Sequence, residues 1–298
     1  MREFIYKNEE SQRLDVFLSE NINDTSRAQL QKMIVNGEVL VNGEEKKSNY
    51  RLSLNDVVKV EEIVEEDLEV RPIDFEIEVL YEDDYLAVVN KPAGMVVYPG
   101  AGREEVSLVA ALKGMKMKLS NPEDEMRNGI VHRLDKDTSG LMMIAKDNKT
   151  HDKLSKLLKK REVVRKYYTI VNGVVEHDFG TIDAPIGRDE RNRIRRTVSG
   201  AGKDAITYFK VIERFKDFTF LECELTTGRT HQIRVHMKYI DHPILGDNLY
   251  GLKDRYNLES QLLQSYLIEF IHPYTNKQMS FSLDVRDDFK KLMKEVKS

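Results

Sequence analysis

Between Gly129 and Leu141 the chain places His132, Arg133, Asp135 and Asp137 within six positions. An imidazole, a guanidinium and two carboxylates are the groups of acid–base and nucleophilic chemistry. Apolar residues flank them, Ile130-Val131 before and Leu141-Met142-Met143-Ile144-Ala145 after, while Asp137, Thr138, Ser139 and Gly140 are turn formers. The pattern predicts a loop held between buried strands, where a rigid scaffold displays reactive side chains. The same residues would also serve as a structural Arg133–Asp135 ion pair beside a hydrogen-bonded core histidine.

The elements that must position such a loop follow from the surrounding periodicity. Phe75 to Tyr81 and Tyr85 to Val89 read as strands, the second running into an Asn90-Lys91-Pro92-Ala93-Gly94 turn. Asp147 to Lys160 reads as an amphipathic basic helix with Leu154, Leu157 and Leu158 inward, and Arg165 to Gly173 as a strand. Alternation on that strand puts Tyr167 and Tyr168 on opposite faces, one for the core and one free to line a site. Thr181 to Lys203 reads as a long arginine-rich loop. A second dense block, Leu221 to Met237, alternates as a strand, breaks at Thr227-Gly228, and then carries Gln232, Val235, His236 and Tyr239 at helical spacing. It brings Arg229, His231 and Arg234 into a strand-turn-helix unit.

With 298 residues the chain divides more readily into two domains than one. Ser11 to Asn21 predicts a helix with Ser11 as N-cap; a second helix follows Thr25-Ser26 and stops at Asn36-Gly37; Asn42-Gly43 marks a two-residue hairpin. We place a small module at 1–62, an acidic linker at 63–74 and the larger domain at 75–298. A single cysteine, Cys223, rules out an intramolecular disulfide and fits a reducing compartment. No apolar run reaches the roughly 20 residues of a membrane span, and the first residues lack an apolar signal core. We therefore expect a cytoplasmic monomer with no membrane partner. The net charge of −4 hides segregation: acids dominate from Glu61 to Asp84, bases from Lys153 to Lys166 and from Arg188 to Lys203. Basic clusters of this kind attract a phosphate backbone even in an acidic protein. The histidines are not spaced as metal ligands, so no metal is expected.

The run His132-Arg133-Leu134-Asp135-x-x-Thr138-Ser139-Gly140-Leu141 resembles the HRLD motif of the RluA/RluD-type pseudouridine synthases, and Thr227-Gly228-Arg229-x-His231-Gln232-Ile233-Arg234-x-His236 is similar to a second motif of that family. His242-Pro243-Ile244-Leu245-Gly246-Asp247-x-x-Tyr250 continues the likeness; Gln264-Ser265-Tyr266 departs from it. The N-terminal order Ser26-Arg27, Gln31, Gly37-Glu38-Val39, Val41-Asn42-Gly43 and Asp56 resembles the S4 RNA-binding module, with an unusual load of acids at Glu38, Glu44 and Glu45.

The resemblance implies an α+β catalytic domain, a curved, mixed and mainly antiparallel sheet with flanking helices, preceded by a small S4-like module. It implies isomerisation of uridines, most directly in 23S ribosomal RNA and otherwise in tRNA, without a cofactor. Asp135 would be the nucleophile and Arg234 its ion-pair partner. Tyr167, selected over Tyr168 by its spacing from Gly173, would stack on uracil or act as a base. Arg133 would enter the space vacated by the flipped base, Arg229 and His231 would contact RNA in the same domain, and Arg13, Arg27, Gln31 and Lys32 would face RNA in the S4-like module. Two alternatives stay open: a catalytically inactive RNA-binding protein of the ribosome or tRNA, and a hydrolase using Asp137 as a second carboxylate. A kinase reading of His132-Arg133-Leu134-Asp135 fails for want of a glycine-rich loop and a partner asparagine.

Overall fold

Apolar residues at helical spacing (Leu14, Phe17, Leu18; Leu30, Met33, Ile34) and at alternating spacing (Val39, Val41; Val58, Val60) are all buried and close the core of an N-terminal unit, Met1–Leu68. The structure is a computed structural model. It describes all residues except 1, 23–24, 26, 62–69, 100–105, 122–126, 193, 254 and 298, and leaves out the side chains of 27–29, 32 and 297. In chain order this unit has β1 (Arg2–Ile5), β2 (Gln12–Arg13), α1 (Leu14–Asn21), α2 (Arg27–Val35), β3 (Val39–Val41), β4 (Glu44–Glu45), β5 (Arg51–Leu52) and β6 (Val57–Val60). Strands β1, β6, β3 and β4 pair in that order. Asn42 and Gly43 join β3 to β4 with φ of 54° and 84°, the two positive values that a two-residue turn of this hand requires. The first helix begins later than expected: Gln12 and Arg13 pair with Leu52 and Arg51, so extended Arg13, rather than Ser11, stands at the N-cap.

The second unit, Glu69–Ser298, contains β7 (Glu78–Glu82), β8 (Leu86–Lys91), α3 (Leu108–Gly114), β9 (Ser139–Ala145), α4 (Asn148–Lys160) and β10 (Val164–Asn172). It continues with β11 (Phe179–Asp183), β12 (Ile186–Arg188), β13 (Arg196–Val198), β14 (Ile206–Arg214), β15 (Phe218–Leu225), α5 (Gln232–Tyr239), β16 (Leu263–Ile271), β17 (Gln278–Ser282) and α6 (Asp287–Lys297). Among the described residues nine strands form one sheet in the order β11-β14-β15-β10-β16-β9-β8-β7, with β17 added on β16. Only β16 with β9 is a parallel pairing; the rest are antiparallel. This is the expected α+β arrangement of a mixed, mainly antiparallel sheet with few helices. The segment Thr181 to Lys203 is not the expected loop. It starts inside β11 and folds β12 and β13 into a hairpin, with Ile186↔Val198 and Arg188↔Arg196 in register. Strands of three residues carrying arginines at their ends are too short and too charged for periodicity to reveal.

Two residues explain how the sheet holds the Asp135 loop. Gly140 has φ 117°, and a Cβ there would stand 2.1 Å from the Ser265 carbonyl oxygen, so only glycine lets β9 approach β16. Lys91, fully buried at the end of β8, donates three hydrogen bonds to carbonyl oxygens: Pro92 (2.8 Å), Met95 (2.7 Å) and Lys136 (3.0 Å). It ties the loop directly after Asp135 to the 92–95 turn. Burial pushes its ammonium down to about 7, against the pull of Asp135 and Asp137. Lys91→Met is expected to strip three carbonyls of their donor and cost about 3 kcal/mol, read as a lowered urea midpoint at unchanged slope.

Candidate active site

β9 opens at Ser139, and its register with β16 (Gln264↔Ser139, Ser265↔Gly140) sets the preceding loop beside β10, where Tyr167 pairs with Ser265. The Thr138 N–H donates to the Asp135 carbonyl (3.1 Å), and Gln261 Nε2 donates to Thr138 Oγ1 (2.7 Å), so the loop is pinned at its turn. On the other flank of β10, β15 pairs Cys223 with Tyr167 and then leads into α5. The connection is clamped by buried Gln232. Its Oε1 accepts from Arg229 N–H (3.0 Å) and Thr227 Oγ1 (2.8 Å), and its Nε2 donates to the Ile206 carbonyl (2.9 Å). His231 takes the N-cap position with φ 58°, a left-handed conformation uncommon outside glycine. The first turn of α5 then aims Arg234 at Asp135.

The ion cluster that results has three members. Arg234 Nη1 donates to Asp135 Oδ2 (3.0 Å), while its Nε and Nη2 donate to Asp247 Oδ2 (2.7 Å) and Oδ1 (2.9 Å). Asp247 Oδ1 also accepts the backbone N–H groups of Leu249 (2.9 Å) and Tyr250 (3.0 Å). Burial pushes the Asp247 carboxyl up, but the hydrogen bonds and charge of Arg234, with the backbone donors, outweigh it and hold it below the usual range. Arg234 itself is raised, since its two carboxylates outweigh its desolvation. Asp135 Oδ1 is less engaged: among the described residues no hydrogen bond reaches it, and His231 Nε2 stands 3.8 Å away. His231 Nδ1 meets Tyr250 Oη at 2.8 Å, and that oxygen accepts the Arg196 backbone N–H (2.7 Å). Burial lowers the His231 pKa against the pull of Asp135, so the ring is neutral at pH 7.

Asp135, Tyr167, Arg234, Arg133, Arg229 and His231 all line one cavity of about 420 Å³, a volume in the range of small-molecule sites. Tyr167 is buried, and burial raises its phenol. Tyr168 points the other way and stacks on Tyr266, with ring centroids 3.6 Å apart. Arg133 is exposed and does not pair with Asp135: its Nη1 donates to Tyr98 Oη (2.7 Å), and its guanidinium also lies over the Tyr98 ring. His132 is a structural acceptor. Its Nε2 takes the Met143 N–H (2.9 Å), and burial pushes it down to about 3. Arg229 is fixed by a bond from Nε to the Asp204 carbonyl (2.9 Å). In the N-terminal unit, Arg13 and Gln31 both donate to buried Asp15, at 2.9 and 3.0 Å, while the side chains of Arg27 and Lys32 lie outside the described residues.

Two partners had no role assigned from the sequence, Tyr98 and Asp247. Asp247 stood within the Gly246-Asp247-x-x-Tyr250 stretch of the family likeness, but nothing local ties it to Arg234. Among the described residues no group of three or more His, Cys, Asp or Glu could hold a metal ion, and no helix is long and apolar enough to cross a membrane.

Comparison with known proteins bears on this arrangement at three levels. The profile of the RNA pseudouridylate synthase family matches residues 85–239, and that of the S4 domain residues 12–58. The chain is 44% identical over 289 residues to the uncharacterised RNA pseudouridine synthase YlyB of Bacillus subtilis, covering 97% of this chain and 95% of that protein. It is 38% identical over 298 residues to ribosomal large subunit pseudouridine synthase D of Xanthomonas campestris, covering 96% and 89%. Among solved structures, human RNA pseudouridylate synthase domain containing 1 superposes with a TM-score of 0.59 at 19% identity, over 75% of this chain and 95% of that one, a likeness of fold. The family profile covers both the Asp135 loop and Arg234, and relatives run along nearly the whole length, so the chain belongs to the RNA pseudouridylate synthase family and carries an S4 domain ahead of its catalytic sheet.

Proposed function

We propose that this protein converts specific uridines of large-subunit ribosomal RNA to pseudouridine, with Asp135 as nucleophile and no cofactor. The observation that carries the reading is the one-sided occupation of Asp135: Arg234 holds Oδ2, and Oδ1 is left open toward a cavity that Tyr167 walls. The reaction breaks the N1–C1′ bond of uridine, turns the uracil and joins C5 to C1′; the hydrogen leaves C5 for water and N1 gains one. Nothing else enters or leaves. A single oriented carboxylate suffices for the covalent work, and Arg234 keeps it charged and aimed. Tyr167, with its phenol raised by burial, is protonated at neutral pH, which favours stacking on uracil over a role as base. The target nucleotide leaves the RNA stack to reach the cavity, and exposed Arg133 enters the gap. Arg229 and His231 hold the flipped nucleotide's strand, and Arg13, Arg27, Gln31 and Lys32 contact RNA from a module at 1–62, joined by a linker at 63–74 to the catalytic domain at 75–298. The ribosomal target is supported by relatives named ribosomal large subunit pseudouridine synthase D.

The test uses unmodified total RNA tritiated at uracil C5. The protein is expected to release tritium to water from large-subunit ribosomal RNA and not from tRNA. Release from neither RNA, or appearance of free uracil, would sink the reading.

A further inference from the structure

Arg165, the second residue of β10, is 8% exposed, its Nε lies buried without an acceptor, and among the described residues no hydrogen bond or ion pair reaches its guanidinium. Arg234 is buried to the same degree, at 7%, but two carboxylates hold it. A buried charge without a counter-ion is strongly unfavourable. Arg165 stands two residues before Tyr167 on the same face of β10 and lines the same cavity as Asp135. A Cβ at Gly228 would lie 3.1 Å from Arg165 Nη1, so the glycine keeps the space in front of the guanidinium clear.

The surroundings identify the missing anion. Lys159 and Arg161, at the end of α4, and Arg229 line this cavity too, and its only carboxylate among the described lining residues is Asp135, already engaged by Arg234. Gly228, Arg229 and Thr230 also wall a second cavity of about 440 Å³, where Arg188, Arg196 and Lys203 stand with no described carboxylate. Cations therefore line both sides of one turn beside the reactive carboxylate. Uracil is neutral and would leave the Arg165 charge uncompensated; a phosphodiester carries the full negative charge and matches the guanidinium fork.

We propose that Arg165 binds a backbone phosphate of the nucleotide delivered to the Asp135 cavity, and that the cations across the Gly228–Thr230 turn hold the phosphates next to it. The proposal rests on the RNA-modifying function argued above.

The test compares wild type, Arg165→Gln and Arg165→Lys on a C5-tritiated transcript of large-subunit ribosomal RNA over a range of KCl concentrations, with thermal melts alongside. For Arg165→Gln, KM is expected to rise about tenfold with kcat within about twofold, and the slope of log(kcat/KM) against log[KCl] to flatten by about 0.7, one single-strand phosphate contact. Arg165→Lys falls between, keeping the charge and losing the fork. Arg165→Gln melts at or above the wild-type temperature, because an uncompensated buried charge has gone. Unchanged KM and salt slope would overturn the proposal, as would a fall in kcat at unchanged KM, which would place Arg165 on the base, or a lowered melting temperature with normal KM, which would make it structural. If the wild type released no tritium, the enzyme reading would fall by itself; filter binding of the same transcript still reads Arg165, and equal affinity and salt slope in wild type and Arg165→Gln would then overturn the phosphate site.

Discussion

Asp135→Asn is expected to abolish tritium release from ribosomal RNA, a loss of at least about 10⁴-fold in kcat, while leaving RNA affinity within about threefold. Asparagine has the shape of aspartate and keeps one oxygen to accept the Arg234 Nη1 hydrogen bond that now measures 3.0 Å. The loop geometry survives because it does not depend on the carboxylate: Thr138 bonds the Asp135 backbone carbonyl, and Lys91 bonds that of Lys136. The charge balance survives too, since Arg234 retains Asp247 as counter-ion and the cluster passes from net −1 to neutral. What the variant lacks is the nucleophile proposed above, as an amide oxygen is too weak to attack a sugar or a pyrimidine ring. The measurement is single-turnover tritium release beside filter binding of the same RNA. A residual rate within tenfold of wild type would remove Asp135 from the chemistry and return it to the structural ion pair that its residue type alone also allows.

The reach of sequence reasoning differed between neighbours in this site, for a physical reason. Asp135 and Arg234 stand 99 positions apart, yet each lies in a contiguous block whose turn formers and apolar flanks announce a displayed loop. The separation of Tyr167 from Tyr168 followed from strand alternation, and the structure sends one into the cavity and the other onto Tyr266. Contacts made by folding rather than by spacing stayed hidden. The hydrogen bond from Arg133 to Tyr98 joins a loop to a segment before α3, and Asp247, directly after a Gly246 turn at φ 74°, meets Arg234 across 13 positions of chain. Arg165 was legible as one cation in a basic run; that it is buried and lacks a partner depends on the closing of β10 between β15 and β16. In the N-terminal unit the apolar spacing exposed both helices, but the start of α1 moved because Gln12 and Arg13 pair with residues some forty positions on.

Asp247→Asn carries the second large expected effect, through position rather than chemistry. Asp247 is fully buried at its side chain and satisfies four donors, two from Arg234 and two from the backbone at Leu249 and Tyr250. Asparagine replaces one of its oxygens with an amide that must face either a guanidinium N–H or a backbone N–H, so at least one buried donor opposes another. Breaking a buried pair in this way costs about 3–5 kcal/mol, read as a lower urea midpoint. Arg234 then has Asp135 as its one remaining anion. Both oxygens of Asp135 attract it, and a guanidinium that closes on them as a fork covers Oδ1, the atom proposed above to meet the nucleotide. A shift of about 1 Å in a reacting group costs roughly 10²-fold, so kcat measured at 20 °C, where the variant remains folded, is expected to fall about 100-fold with KM little changed. Loss of stability with normal kcat would show that Asp247 supports the fold alone. A fall in kcat tracks the aim of Arg234, and with it the reason a carboxylate 112 positions away from Asp135 belongs to its site.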